Sequence, residues 1–401
     1  MGLNDTPSGE RLHIGFFGRR NAGKSSLINA ITGQEVAVVS PEKGTTTDPV
    51  TKAMELLPLG PVLLIDTPGF DDTGDLGELR VKRTRRILNK TDIAVLVLDA
   101  AEGMTAVDEE LMQIFREKDI PHLIVCNKCE DEKHPSSASN ESILQVSAMK
   151  NLGINELKER LSQIAPQEKP RAFVRDLLAP HALVLLITPM DKAAPKGRLI
   201  LPQQQAIRDI LEARALPLVC QETEISAALD SLKNSPDLVI CDSQIFKKAA
   251  SFIPESIPLT SFSILMARYK GFLSEAVNGI AALPRLADGD VVLISEGCTH
   301  HRQCNDIGTV KIPHWLTEHT KKRLLFETSS GQTFPEDLQK YQLIIHCGGC
   351  MLNQREMLYR MKCAKDQGVP MTNYGTLIAH LHGILQRSLG LFPCLAERIK
   401  D

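Results

Sequence analysis

Aromatic side chains are scarce in this sequence, which has one Trp, four Tyr and 12 Phe in 401 residues. A core built instead from Leu, Ile, Val and Ala fits an α/β chain. Long apolar runs are missing too: none approaches the roughly 18 residues of a membrane-crossing helix. The opening stretch, 1–12, is polar, with neither an apolar core nor a cleavage site. These absences predict a cytoplasmic protein with no membrane partner. Charge of one sign is also lacking. A formal net charge of −3 and a pI near 6.4 give no general attraction to polyanions, which counts against nucleic acid as the main partner. No internal repeat and no low-complexity tract is visible. Cysteine, by contrast, is plentiful. Ten cysteines in a reducing compartment argue for metal or catalytic use over a disulfide framework. The length exceeds one ordinary core and predicts two or three domains.

The cysteines concentrate the chemistry in two places near the C-terminus. His346-Cys347-Gly348-Gly349-Cys350 and Cys298-Thr299-His300 bring three thiols and two imidazoles, soft ligands suited to zinc or an iron–sulfur cluster. Each follows an apolar run, 291–294 and 343–345, so both read as the carboxyl ends of buried strands. Ligands collect at that edge of an open parallel sheet. Buried core cysteines are the plainer explanation, but the sharp turn at Gly348-Gly349 suits a metal thiolate better than a core side chain.

The first domain, 1–167, announces a phosphate site. The apolar strand at 12–17 runs directly into Gly18-Arg19-Arg20-Asn21-Ala22-Gly23-Lys24-Ser25-Ser26 and then into a helical pattern. Strand, glycine-rich loop and helix form the setting of a P-loop. Backbone N–H groups cradle the phosphates, Lys24 reaches the β and γ oxygens, and the Ser25 hydroxyl holds magnesium. A second strand, 62–65, ends in Asp66-Thr67-Pro68-Gly69, where Asp66 can hold magnesium through water and Gly69 lets the backbone approach the γ-phosphate. Further strands at 94–99, 122–126 and 143–146 lead into Asn127-Lys128-Cys129-Glu130 and Ser147-Ala148.

The order of these pieces resembles the translation-factor-like GTPases of the Era and MnmE type. That resemblance implies GTP as ligand and 44–48 as switch I, with Thr46 the magnesium ligand and Thr45 the alternative. It also implies Asn127 and Lys128 framing the guanine, and Ser147 and Ala148 closing over its O6. Glu130 stands where the family has Asp. Phe70 stands where Ras-like proteins carry a water-positioning glutamine, and a phenyl ring cannot position water. MnmE-like relatives compensate with potassium held in part by a P-loop asparagine, the position of Asn21, so the resemblance implies potassium-stimulated hydrolysis. The basic run 80–86 reads as a solvated helix face.

Beyond a linker near Pro166 and Pro170, the stretch 168–265 alternates strands (182–187, 216–220, 237–241) with helices (202–214, 222–232), a small parallel α/β unit. Lys192, Lys196 and Arg198 read as exposed loop residues, and Cys220 and Cys241 as core. The last domain, 266–401, opens with a long amphipathic pattern over 261–283 and carries both halves of the thiol site. The fold class is therefore α/β: a P-loop GTPase domain followed by two smaller α/β domains with mainly parallel sheets.

A GTPase followed by C-x-H and H-C-x-x-C resembles one family over essentially the whole chain: HydF, the GTPase and scaffold of iron-iron hydrogenase maturation. The resemblance implies Cys298, Cys347 and Cys350 as thiolate ligands of a 4Fe-4S cluster. His346 or His300 would be the labile fourth ligand or lie beside the open iron, with Cys304, Asn305, Asp306 and solvent as alternatives. It further implies a transient two-iron precursor, radical-SAM maturases and apo-hydrogenase as partners, and a homodimer or larger assembly formed through the middle domain. Two rival readings are a zinc-stabilised GTPase of RNA modification or ribosome assembly, with Cys298, His300, Cys347 and Cys350 around the metal, and a GTPase whose Cys347 and Cys350 cycle as a disulfide. His301 reads as outside the ligand set, Cys363 and Cys394 as packing residues, and His314, His319, His380 and His382 have no assigned role.

Overall fold

Strand β1 (Leu12–Phe17) is buried on both faces because it runs through the middle of a sheet. In the computed structural model, which describes residues 6–33, 50–69, 84, 86–129, 143–166, 171–189, 199–297, 306–331 and 333–399, the chain forms two units, 1–169 and 170–401. The first holds a six-stranded sheet in the order β2-β3-β1-β4-β5-β6. Its other strands are β2 (Val50–Leu56), β3 (Gly60–Asp66), β4 (Ile93–Asp99), β5 (His122–Asn127) and β6 (Leu144–Gln145). Among the described strands only β2 pairs antiparallel, along β3. The sequence reading passes over β2 because its residues alternate between half-buried and exposed, as a charged edge strand covered on one face does. The strand expected over 143–146 is correspondingly short. Helix α1 (Lys24–Thr32) follows the loop after β1, α2 (Ala106–Glu117) precedes β5, and α3 (Ile154–Ile164) follows β6.

The second unit contains two four-stranded, wholly parallel sheets. One is built from β7 (Leu183–Ile187), β8 (Leu216–Cys220), β9 (Leu238–Cys241) and β10 (Leu259–Ser261), with helices α4 (Leu201–Glu212), α5 (Ile225–Asp230) and α6 (Phe246–Phe252) between them, and the other from β11 (Val291–Glu296), β12 (Leu325–Ser330), β13 (Leu343–His346) and β14 (Met371–Asn373), with α9 (Ile312–Thr320) before β12. Numbered within each module, both have the order 2-1-3-4. The detail repeats as well. The amide of Leu183 donates to Asp237 Oδ2 at 2.7 Å, and that of Val291 to Gln342 Oε1 at 2.8 Å. Val239 N donates to the carbonyl of Pro258, and Ile344 N to that of Pro370, each at 2.9 Å.

After the fourth strand comes a helix, α7 (Phe262–Tyr269) in the first module and α11 (Tyr374–Leu381) in the second, with Ser261 and Asn373 as side-chain N-caps. Both end on a left-handed glycine, Gly271 at φ 85° and Gly383 at φ 71°. The same 6→1 hydrogen bond closes each end, Phe272 N to Ala267 O and Ile384 N to Ala379 O, both at 2.9 Å. Aligned without a gap, 257–277 and 369–389 match at Pro258/Pro370, Thr260/Thr372, Leu265/Leu377, Ala267/Ala379, Gly271/Gly383 and Leu273/Leu385. The expectation of no internal repeat is therefore corrected: the second unit is one module built twice. Apolar strands look alike in any α/β chain, so the repetition shows only once topology gives the alignment.

The two modules exchange helices. Helix α8 (Leu273–Asn278) of the first packs on β14 of the second, and α12 (Leu385–Ser388) of the second packs on β10 of the first. One core runs through both, joining Leu185, Val239 and Phe246 to Leu293, Ile344 and Leu377. The boundary expected at 265/266 falls inside α7. The amphipathic stretch 261–283 is α7, α8 and the start of a 3-10 turn at Gly279–Arg285, because Gly271 ends the first helix.

Candidate functional site

The loop after β1 closes on itself around the Lys24 side chain, whose ammonium donates to the carbonyls of Gly18 at 3.0 Å and Arg19 at 2.7 Å. A Cβ on Gly23 would lie 2.2 Å from Asn127 Nδ2, so only glycine fits there. Asn21 is exposed, with a left-handed φ of 61°. Ser26 sits half-buried on α1, and Gly69 ends the described part of the loop after β3. Ser25 Oγ donates to Asp66 Oδ2 at 2.5 Å, while among the described residues the buried Asp66 Oδ1 has no partner. Burial pushes the Asp66 carboxyl up against the opposing effects of Ser25 and Lys24. A buried carboxylate with an idle oxygen beside a serine hydroxyl is a donor set that fits Mg2+. Sequence reasoning missed Arg19. Its guanidinium meets Glu102 at 2.5 Å and Asp108 at 3.1 Å, tying the loop to the N-terminus of α2, where Asp108 also accepts from Thr105 N and Oγ1.

Asn127 links three segments. Its Nδ2 donates to Ala22 O at 3.1 Å and its Oδ1 accepts from Ala148 N at 3.1 Å, so it braces the P-loop against the loop holding Ser147. The Ser147 Oγ accepts from Lys150 N at 3.2 Å. Lys128, at φ 68°, reaches Asp99 at 2.6 Å. Burial raises the Asp99 carboxyl, but Lys128, Ala101 N–H and Arg19 outweigh it and hold the group below its ordinary value. Asp99 is a second residue sequence reasoning did not single out. Thr45, Thr46, Phe70, Glu130, the Lys192–Arg198 loop and all but Thr84 and Arg86 of the basic run lie outside the described residues.

At the edge of the last sheet, Cys347 continues the β11–β13 ladder, its amide donating to Ser295 O at 2.9 Å. Its Sγ accepts from Gly297 N at 3.1 Å and from Gly349 N at 3.4 Å. Gly297 directly precedes Cys298, so the end of β11 lies against the CGGC turn. Cys298, His300, His301, Cys304 and Asn305 themselves lie outside the described residues. Burial, with Cys347 adding to it, pushes the Cys350 thiol up to about 12. Two neighbouring sulfurs, one accepting amide hydrogens and one hard to ionise alone, fit a cationic iron or zinc centre that would hold both as thiolates. Among the described residues no group of three or more His, Cys, Asp or Glu side chains forms a metal site.

The His346 ring is fully buried, with Nδ1 2.7 Å from Cys347 O and Nε2 3.2 Å from Arg360 Nη1. A guanidinium can only donate, so Nε2 accepts and Nδ1 carries the proton given to Cys347 O. With both ring nitrogens engaged, His346 is a hydrogen-bonded strut beneath the turn. Arg360, also fully buried, donates further to Glu356 Oε1 at 2.9 Å and Gly331 O at 2.7 Å, and stacks on Phe334. Nothing in its spacing marks it; helix α10 (Gln354–Asp366) brings it under the strand ends. Asp306 Oδ2 accepts from Thr309 N and Oγ1, each at 2.8 Å, as an N-cap. Tyr374 donates to Glu296 at 3.1 Å, and burial, then the negative groups Cys347, Glu296 and Asp306, push its hydroxyl well up. Cys241 is core, and Cys220 and Cys363 are half-buried, but Cys394 is exposed and not a packing residue. His319 meets His380 edge-on, and Trp315 meets His382 in the same way.

Comparison with known proteins agrees with this division. Family models match three successive stretches: a 50S ribosome-binding GTPase at 13–128, a hydrogen maturase F dimerization domain at 173–271 and a hydrogen maturase F tetramerization domain at 274–391. The tRNA modification GTPase MnmE of Lactococcus lactis subsp. lactis (strain IL1403) is 35% identical over 157 residues, 39% of this chain and 34% of that protein. The MnmE of Aquifex aeolicus (strain VF5) is 34% identical over 155 residues, again 34% of its length. The chain thus spans about a third of the length of these relatives, all within its first unit. Among solved structures, Aquifex aeolicus Era bound to GDP and aluminium fluoride is similar at 20% identity and a TM-score of 0.35, covering 52% of this chain and 92% of that one.

Proposed function

Because the chain belongs to the hydrogen maturase F family, we propose that it is a GTP-hydrolysing scaffold that carries a 4Fe-4S cluster and delivers a two-iron precursor to apo iron-iron hydrogenase. The observation that carries this reading is the meeting of the β11 end with the Cys347-Gly348-Gly349-Cys350 turn, where Gly297 N–H reaches Cys347 Sγ. Cys298, Cys347 and Cys350 would be the thiolate ligands. When bound, the cluster would supply an iron able to accept an outside ligand. This chain's own residues hold the turn: Gly297 and Gly349 amides neutralise sulfur charge, while Arg360 and His346 fix the strand end from below.

In the first unit, Lys24 and the P-loop amides would bind the phosphates. Ser25, Thr46 and, through water, Asp66 would hold Mg2+, and Asn127, Lys128, Glu130, Ser147 and Ala148 would hold the guanine. The exposed left-handed Asn21 would help hold the potassium that stimulates turnover. Ordering of switch loops by the γ-phosphate would serve as the conformational signal. Self-association would run through the dimerization and tetramerization modules, with radical-SAM maturases and apo-hydrogenase as partners in the cytoplasm.

The test is iron, sulfide and zinc analysis of anaerobically purified protein, with electron paramagnetic resonance of the reduced form. About four irons and four sulfides per chain and a spectrum altered by added imidazole are expected. One zinc without visible absorption would replace this reading with the zinc-stabilised GTPase. Hydrolysis should run faster in potassium than in sodium buffer, and equal rates would remove Asn21 from its role.

A further inference from the structure

We propose that Cys126 and Cys129, a Cys-x-x-Cys pair set around Asn127 and Lys128, form a disulfide under oxidation that loosens the guanine loop and weakens nucleotide binding. This rests on the reading of Asn127 and Lys128 as guanine-binding residues. The chain carries this spacing at 126–129 as well as at 347–350, and the function described so far uses only the second.

The end of β5 places the pair. Cys126 lies on that strand, Asn127 ends it, and Lys128 turns the chain with a left-handed φ of 68°. The turn brings Cys129 Sγ to 3.7 Å from Cys126 Sγ and 3.4 Å from Cys126 O. Both cysteines are pinned to one residue: Val146 N donates to Cys126 O at 2.8 Å, and Cys129 N donates to Val146 O at 3.1 Å. Cys129 is 7% exposed and Cys126 half-buried, so Cys126 is the sulfur that an oxidant from solvent meets first.

A disulfide holds its sulfurs about 2.05 Å apart, so this gap must close by roughly 1.7 Å. With the backbone at 126 and 129 pinned to Val146, the part that gives is the span between them. Asn127 has little room there. It is buried, its Nδ2 lies 3.1 Å from Ala22 O and 3.5 Å from Gly23 O, and its Oδ1 holds Ala148 N at 3.1 Å. Movement at Asn127 therefore breaks the brace between the P-loop and the loop holding Ser147, and disturbs the phosphate and base sides of the pocket together.

The oxidant is a low-molecular-weight disulfide, acting by thiol–disulfide exchange. The Cys126 thiolate attacks one of its sulfurs and expels the other half as a thiolate, leaving a mixed disulfide on Cys126. Cys129, deprotonated, then attacks Cys126 Sγ and expels the second half. The protein sulfurs give up two electrons, the S–S bond of the oxidant takes them, and the two protons leave on the released thiols. Burial, then Cys129 and Asp99, push the Cys126 thiol up to about 12, so the first attack is slow at neutral pH and quickens as pH rises. The dithiol gains no stability from a thiolate at Cys126, so the disulfide, once made, resists reduction.

The experiment uses metal-free full-length protein at about pH 8.5, near the ordinary thiol value, first reduced and then exposed to oxidised glutathione. Trypsin cuts after Lys128, between the two cysteines, so their disulfide appears in the mass spectrum as a linked pair of peptides that part on reduction. Affinity for a fluorescent GTP analogue should fall at least about fivefold, the worth of one lost hydrogen bond, and return with dithiothreitol. Cys126→Ser should bind as the reduced wild type does and keep its affinity in the oxidant, although Cys347 and Cys350 can still react. Cys129→Ser takes its place should Cys126→Ser fail to fold. Absence of the linked peptides would overturn the proposal, as would linkage with unchanged affinity or a loss of affinity that persists in Cys126→Ser. If the reduced protein binds no guanine nucleotide, the guanine-loop reading falls and the effect on binding falls with it, while the linked peptides still decide whether the sulfurs join.

Discussion

The two modules of the second unit share sheet order, strand register, helix caps and a closing glycine, yet one follows its third strand with a Cys-x-x-Cys turn and the other does not. At the third strand the comparison is Cys241-Asp242-Ser243-Gln244 against His346-Cys347-Gly348-Gly349. In the first module Asp242 Oδ1 accepts from Gln244 N at 2.9 Å and starts a 3-10 turn. In the second the same place is a glycine turn whose amides point at sulfur. The framework is held by backbone hydrogen bonds and apolar burial that tolerate such exchanges. The chemistry occupies a few residues at one edge, where the framework does not depend on side-chain identity.

The sharpest way to test that contrast is to remove one residue from each edge. Cys347→Ser should reduce bound iron and sulfide to background, whereas Asp242→Asn should leave both unchanged; metal analysis of the two purified variants checks this. Next in size is the buried anchor that only the second module carries. Arg360→Met leaves Glu356 without its cation, and urea unfolding should show a loss of about 3–5 kcal/mol. Smaller again is the point where equivalent positions of the two modules meet. A Cβ on Gly375 would lie 2.9 Å from Ser263 Cβ and 3.0 Å from Ile264 N. Gly375→Ala should therefore cost about 1–3 kcal/mol by the same assay. Ser263→Ala loses the hydrogen bond from Gly375 N but opens space, so it should cost about 1 kcal/mol.

The smallest effect expected is one of pH. Burial lowers His380 and His382 below the ordinary value of 6.5, with His319 and Lys247 respectively adding to it. The unfolded chain then takes up protons before the folded one as pH falls. Stability present above about 6.5 is lost as pH drops through the folded values. The corresponding positions of the first module hold Arg268 and Lys270, so this histidine pair belongs to the second. Unfolding of the wild type and of His380→Gln/His382→Gln at pH 7.5 and 5.5 should show a decline that the double variant flattens.

Much of this was legible without coordinates. The strand, loop and helix around Lys24 and the run ending at Asp66 are local patterns, and local patterns survive in one dimension. The parallel strands before Cys298 and His346 were readable for the same reason. Strand β2 was not, since an edge strand has no apolar run. Arg360, which reaches His346 from 14 residues away, has no sequence signal, because it acquires its meaning from what packs against it.

By itself, then, the sequence determined the class of chemistry: a phosphate loop at one end and paired thiols at a strand edge at the other, since residue type and short spacing suffice for both. Tertiary structure alone decided that His346 is a strut, that two dissimilar stretches are the same module, and that each module covers the other's edge. Those facts depend on which side chains meet across long separations in the chain, and burial and hydrogen-bond geometry exist only after folding.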